Sequence, residues 1–516
     1  MKSNYLKDFF FLIISVTLLL VFFYNAINTL THVFDGGHHG SILLNALDII
    51  NNRIPYKEIF LQYGFLNAYI NSIFLDLFNH DILSIYISTS LFYFSSILLI
   101  GFISREFNNY YALIYSILVC IFNHPIPEYP WPNYSAFFFM TLSIYLFDIE
   151  HEKKLFLSSF CIALSCLARE NFYYFILPTF LFINIFLFLF TKNRVKIIFF
   201  ITGFFLPILT FFIYLFLNDI FLNWLDFQRI PFVYLDSYGV SIFELLKNFI
   251  IFFLTEVPFI IGTSPQYFVI FIILIFNIYV LLEELFFKKN KNIKIIYICS
   301  LCISSMIVSI NLELFRLYTS IIVGLPIIFY KLNSYKNSDT RFVVLFIILF
   351  VSFFSFFYFP KGNVKFFKNI NYEKSITSSE IKFFKNQKWE SDKWNFVKKI
   401  KLIDNEIVKK CKIKYVLNLT PNAFILPLSQ LNRIQISPVF NEHLGREFVI
   451  KFQKNFKTLA NNIISREEVY IYSMENNISI LNNSLSNYKI SHKVNIKGLK
   501  GSQVRVYVPN KCYNKL

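Results

Sequence analysis

The densest group of side chains able to do chemistry lies between residues 32 and 64, in HVFDGGHHGSILLNALDIINNRIPYKEIFLQYG. Asp35, His38, His39, Asp48, Arg53, Lys57 and Glu58 crowd there beside long apolar stretches. A carboxylate in such a place can take a proton from an attacking hydroxyl. Gly36 and Gly37 directly after Asp35 permit a tight backbone turn that would set this carboxylate at the mouth of a helix bundle. Asp35 is also a good helix cap, the default reading of a lone Asp before glycine. Asp35, His38 and His39 are metal-ligand types. Adjacent histidines on a helix point about 100° apart, so they chelate one ion poorly. Hydrogen bonds to substrate or loop are the expected role, and a divalent ion stays open.

A second set of ionisable residues sits where the surroundings are apolar. Arg169 and Glu170 lie between LSSFCIALSCLA and NFYYFILPTF. Ionisable groups at membrane depth are functional candidates, and a pair at a helix end among lipid head groups is the structural alternative. Glu313 and Arg316 are three residues apart and can pair on one helix face. Glu128 lies in the proline-rich HPIPEYPWPNY, where Tyr129 and Trp131 read as interfacial anchors. Glu256 stands alone in an apolar stretch.

DGGHHG followed by NNRIPYKEIFLQYG resembles the first outer loop of the GT-C superfamily of membrane glycosyltransferases. That superfamily includes protein O-mannosyltransferases and lipid A aminoarabinose transferases. The resemblance implies many spans, an acidic residue just after span one, and a soluble extracytoplasmic C-terminal domain. It implies Asp35 as the catalytic residue. It points to His38, His39, Arg53, Tyr56, Arg169 and Arg316 as substrate-binding residues, with Arg53, Arg169 and Arg316 competing to hold a departing phosphate. Glu128 and Glu170 compete for a second acidic position.

The elements that must carry these residues follow from composition. The chain has 516 residues, 56% hydrophobic, 20% aromatic and 16% charged, with mean hydropathy +0.52. Charge is well below the usual quarter of a soluble domain. Apolar runs long enough to cross a bilayer recur through the first 360 residues. The candidates are 9–31, 65–79, 82–104, 110–123, 133–148, 155–168, 172–190, 197–217, 248–263, 266–287, 294–311, 314–331 and 342–359, or about 11 to 13 crossings. No early small-residue cleavage site follows the first run, so it reads as a retained span.

Lys and Arg in short loops set orientation. The N-terminus, Lys153–Lys154, Lys192–Lys196, Lys288–Lys294 and Lys331–Arg341 point to the cytoplasm. Residues 32–64, Arg169–Glu170 and the tail then lie outside. Arg105 breaks the alternation unless 65–79 or 248–263 lies in the interface or re-enters. All of the +17 net charge belongs to residues 361–516, which hold 28 Lys+Arg against 11 Asp+Glu. Here KYVLNL and VRVYV read as strands and 441–465 as a helix, giving a small α/β domain. Its basic surface suits anionic head groups or solvent. Cys411 and Cys512 could pair if the tail is extracytoplasmic. Cys299 and Cys302 inside a span read as packing residues. Asn418-Leu419-Thr420 fits a glycosylation acceptor, in a chain where asparagine is common enough for chance.

The expected fold is thus an α-helical polytopic membrane protein, GT-C-like over residues 1–360, with a soluble C-terminal α/β domain. With the resemblance, the expected activity is transfer of a sugar from a polyprenyl-phosphate-linked donor to a lipid, glycan or protein acceptor. The place would be the outer face of a bacterial inner membrane, with membrane lipids as the other partners. No nucleotide loop is present, no cofactor is expected, and no nucleic acid is implied. A transporter or flippase of lipid-linked sugars is the alternative, although the repeated halves of such folds are not evident. A non-catalytic scaffold is the third reading.

Overall fold

The computed structural model describes residues 2–516 except 33, 62–63, 79–80, 109, 128, 170–172, 191–193, 230–241, 253–264, 289–290, 307–313, 335–337, 359–374, 378–380, 430, 435–460, 463, 475–484 and 496–502. The membrane body is helical: α1 (Lys2–Leu30), α2 (His38–Ile50), α3 (Phe65–Leu77), α4 (Leu83–Phe107), α5 (Tyr110–Asn123), α6 (Pro132–Leu146), α7 (Glu152–Ala168), α8 (Tyr173–Phe190) and α9 (Arg194–Leu217). Then come α10 (Phe221–Phe227), α11 (Ile242–Ile251), α12 (Pro265–Leu282), α13 (Ile293–Met306), α14 (Leu314–Ile321), α15 (Leu325–Ser334) and α16 (Ser338–Tyr358). Among the described residues six helical segments are long and apolar enough to cross a membrane, and three shorter apolar helices accompany them.

Two faces of the bundle separate by charge. On one, Lys294 pairs with Glu106 at 2.5 Å, Asn333 donates to the Phe107 carbonyl, and Lys154 pairs with Asp148 at 3.0 Å. The other face carries the tail: the Lys388 amide donates to the Thr31 carbonyl at 2.8 Å, and the Ile82 amide to that of Phe383 at 2.9 Å. Both ends of α3 lie on this tail face. Gly64, with φ of +24°, packs on the Ala168 carbonyl at the end of α7, and Asp81 just beyond α3 accepts from the Asn386 side chain at 2.6 Å.

The 65–79 candidate is therefore not a crossing, and Arg105 falls on the lysine-rich face with the other short-loop cations. α10 and the start of α12 also lie on the tail face, for Asn223 donates to the Tyr56 carbonyl at 3.1 Å and Gln266 to that of Ser355 at 2.8 Å; most of the 248–263 candidate lies outside the described residues. The six segments long and apolar enough to cross are α1, α4, α9, α12 with the turn that follows it, the continuous α14–α15 segment and α16; α5 to α8 and α13 are shorter helices packed among them. The tail lies on the face opposite the lysine-rich loops.

The tail is an α/β unit. Strands β1 (Ser375–Thr377) and β2 (Lys388–Glu390) form a hairpin-like pair, and α17 (Ser391–Lys410) follows. The main sheet has β3 (Tyr415–Leu419), β4 (Asn432–Ile434), β5 (Val469–Ser473), β6 (Tyr488–Asn495) and β7 (Gln503–Pro509) in the order β4-β3-β5-β7-β6. β3 runs parallel to β4 and β5, whereas β7 is antiparallel to β5 and β6. Both expected strands are present. Residues 435–460, most of the expected 441–465 helix, lie outside the described residues. Cys411 and Cys512 form a disulfide with Cα atoms 5.4 Å apart. Asn418 is buried and bonded to Thr420, a poor glycosylation acceptor.

One apolar core runs through the seam between tail and body. Phe34, one residue before Asp35, is 4.6 Å from the Trp389 ring, 5.4 Å from Phe424 and 5.5 Å from Phe384, centroid to centroid. Gly36 and Gly40 lie against the same Phe424. A methyl group on Gly40 would sit 2.4 Å from the Phe424 amide nitrogen, and one on Gly36 2.9 Å from its ring. Gly37 has an ordinary helical φ of −78°. Close approach, and not an unusual turn, explains the glycines at 36 and 40. Gly40→Ala is expected to push the tail off α2 and lower the melting temperature of the detergent-purified chain, by an amount typical of overpacking, about 1–3 kcal/mol. Limited proteolysis of the tail should quicken in parallel; unchanged melting and proteolysis would contradict this packing.

Candidate active site

Asp35 stands between α1 and α2 and does the capping that its sequence suggests. Its Oδ1 accepts the amides of Gly37 and His38, each at 2.8 Å, and lies 3.2 Å from His38 Nδ1. A carboxylate at a helix N-terminus is also stabilised by the helix dipole. Asp35 and His38 keep part of their side chains exposed, 19% and 24%.

The two histidines diverge. His38 packs on Trp131, 4.8 Å between centroids, and on Tyr129 at 5.8 Å. His39 turns inward among Phe34, Tyr86 and Tyr129, and its Nδ1 accepts the Asp35 amide at 3.2 Å. That bond leaves the ring proton on Nε2, and burial pushes His39 down to about 3 despite the nearby Asp35 carboxylate. The ring is neutral at any physiological pH. Among the described residues no group of three or more His, Cys, Asp or Glu side chains could hold a metal ion.

Trp131 links the first loop to α14. Its ring stacks on Phe315 at 5.8 Å with planes 11° apart, and the Arg316 guanidinium carbon lies 5.9 Å from the Trp131 ring centre. Asp35, His38, Trp131 and Arg316 thus form one contact chain on the tail face. Behind it, His124 Nε2 lies 3.0 Å from the Tyr134 hydroxyl and Tyr318 donates to the Cys120 carbonyl at 3.0 Å, fixing α5, α6 and α14 against each other.

The other expected site residues are distributed differently. Arg169 is buried just beyond the last turn of α7, on the same face as Asp35. Tyr56 is fully buried, with its ring 5.3 Å from Phe227 and 6.4 Å from Phe65. Glu128, Glu170, Glu256 and Glu313 lie outside the described residues.

Arg53 belongs to a separate ionic group with Asp48 and Arg433 of β4. Arg433 lies 3.2 Å and Arg53 3.5 Å from Asp48 Oδ1, and Arg53 donates to the Arg433 carbonyl at 3.0 Å. Burial pushes the Asp48 carboxyl up to about 6, with Arg433 and then Arg53 pulling it back. Neither Arg433 nor Phe424 stood out as a functional residue in the sequence. The small-x-x-x-small spacing of Gly36 and Gly40 was the available sign that backbone is approached closely there.

The buried histidine has a pH consequence. Unfolded, His39 takes up a proton below its ordinary 6.5; folded, it stays neutral to about 3. The unfolded chain binds more protons in that window, so stability falls as pH drops through it. Asp48 acts oppositely, removing stability as pH rises from 3.8 to about 6. His39→Gln is expected to lose less melting temperature than wild type between about pH 7 and about pH 4. Parallel slopes in thermal melts would contradict a neutral buried His39.

No family model matches the chain, and no curated protein matches it. Solved structures do. ArnT from Cupriavidus metallidurans bound to undecaprenyl phosphate superposes with a TM-score of 0.56 at 8% identity, covering 96% of this chain and 97% of that one. The apo state of the same protein gives a TM-score of 0.40 at 10% identity over 98% and 99% of the two chains. The similarity at TM-score 0.56 spans both membrane body and tail, and the chain shares the overall fold of that ArnT structure.

Proposed function

We propose that this chain is a membrane glycosyltransferase that moves a sugar from a polyprenyl-phosphate-linked donor to a lipid, glycan or protein acceptor, on the extracytoplasmic face of a bacterial inner membrane. One observation carries the reading: a carboxylate and a guanidinium, Asp35 and Arg316, converge through His38 and Trp131 on the tail face. The fold supports it, since the ArnT structure at TM-score 0.56 holds undecaprenyl phosphate.

In the proposed step an acceptor hydroxyl oxygen attacks the anomeric carbon. The bond from that carbon to the phosphate oxygen breaks, and the polyprenyl phosphate departs with the electron pair. Asp35 takes the hydroxyl proton. Arg316 stabilises the charge gathering on the phosphate, a role that suits a permanently charged planar guanidinium. Arg169 is a further cation on this face, and Glu128 and Glu170 are the candidates for a second acidic group. No nucleotide or organic cofactor enters the step, and a divalent ion would be an addition to it. The Cys411–Cys512 disulfide supports an oxidising, extracytoplasmic setting for the tail.

Capping and proton transfer can be separated at Asp35. Asn keeps an acceptor oxygen for the Gly37 and His38 amides but cannot take up the proton. Asp35→Asn should keep near wild-type melting and lower the transferred glycan, read by mass spectrometry of the cell envelope, on the order of 100-fold or more. Asp35→Ala should lose the glycan and, in addition, about 1 kcal/mol of stability. Normal glycans with normal levels of the Asn variant would overturn the transferase reading.

A further inference from the structure

We infer that the tail is a clamp that positions Asp35, holding α2 at both ends, so that the membrane body without this grip is not competent for transfer. The inference rests on the transferase reading above and adds Phe424, Arg433 and Asp48 to it as positioning residues.

The geometry is that of a rod gripped twice. α2 is a single helix, about 20 Å long. Its N-terminal end carries the Asp35 cap and His38. There the Phe424 amide donates to the Gly36 carbonyl at 3.3 Å, while the Phe424 backbone occupies the space a Gly40 side chain would need. The last turn of α2 carries Asp48, gripped by Arg433 at 3.2 Å. Phe424 directly precedes the short helix Ile425–Leu428 of the tail, and Arg433 lies in β4. A shift of the tail therefore moves the whole rod, with Asp35 at its end.

Asp48 is a poor choice for stability alone. A carboxylate in the last turn opposes the helix dipole. It is wholly buried, and among the described residues its Oδ2 has no hydrogen-bond partner. An apolar residue of similar volume would commonly stabilise such a position as well or better. What an apolar pair would lack is directionality: a guanidinium opposite a carboxylate fixes one register of β4 against α2.

The test separates grip from folding. Asp48→Asn combined with Arg433→Met removes the most buried pair together; Arg53, which is partly exposed, keeps its bond to the residue-433 carbonyl and its access to water. The clamp predicts that this full-length double variant melts near wild type and binds undecaprenyl phosphate like wild type in native mass spectrometry, yet forms envelope glycan at least about tenfold more slowly. Arg433→Lys, which keeps the charge, should restore most of the product. If the double variant is too unstable to purify, Phe424→Leu, which keeps apolar burial, carries the same expectation at the other end of α2. Wild-type product from a folded double variant or from Phe424→Leu, with Asp35→Asn inactive, overturns the clamp and leaves the transferase reading standing. Wild-type product from Asp35→Asn overturns both.

Discussion

Phe34 inserted among Phe384, Trp389 and Phe424 is the contact on which the rest of the site depends. It joins the end of α1 to the tail, and the residue that follows it is Asp35. Burying one aromatic ring stabilises on the order of 1.5–3 kcal/mol, and here it also fixes the orientation of a charged neighbour. Gly36 and Gly40 extend the same contact, because only residues without a side chain let the Phe424 backbone come so close. The motif DGGHHG is therefore a docking surface as well as the place of the proposed chemistry.

Charge placement follows from that docking. The lysine-rich short loops gather on the face opposite the tail, with pairs such as Lys294–Glu106 and Lys331–Glu283 at 2.5 and 2.6 Å. At the seam on the tail face several charged groups are buried. Asp48 lies beside two guanidiniums, Arg169 is nearly inaccessible, and Arg316 lies over an aromatic stack. Low dielectric strengthens the interactions such groups make.

Much of this was legible in the sequence for identifiable reasons. Long apolar runs cannot be soluble elements, so the membrane body was plain. The lysines of short loops gather on one face, and Arg105 marked the place where simple alternation fails. Resolving it took contacts: α3 is apolar enough to be a span, but the neighbours at both of its ends keep it on one face. Asp35 was legible as a cap, and the structure shows that cap. Tyr56 and Arg53 share the RIPYKE motif, yet folding sends Tyr56 into an aromatic core and Arg53 to Asp48. Arg433, Phe424 and the Trp131–Phe315 stack were not legible as a unit. Each comes from a segment far away in the chain, and nothing local marks such long-range pairs.

In the proposed transfer the lipid phosphate and the reacting carboxylate meet on the tail face, between Asp35 and Arg316. Electron cryomicroscopy of the full-length chain with undecaprenyl phosphate tests this most directly. Phosphate density is expected within hydrogen-bond reach of the Arg316 guanidinium, on the side of Trp131 nearer Asp35. Phosphate density on the lysine-rich face, or on the tail face remote from both residues, would contradict it.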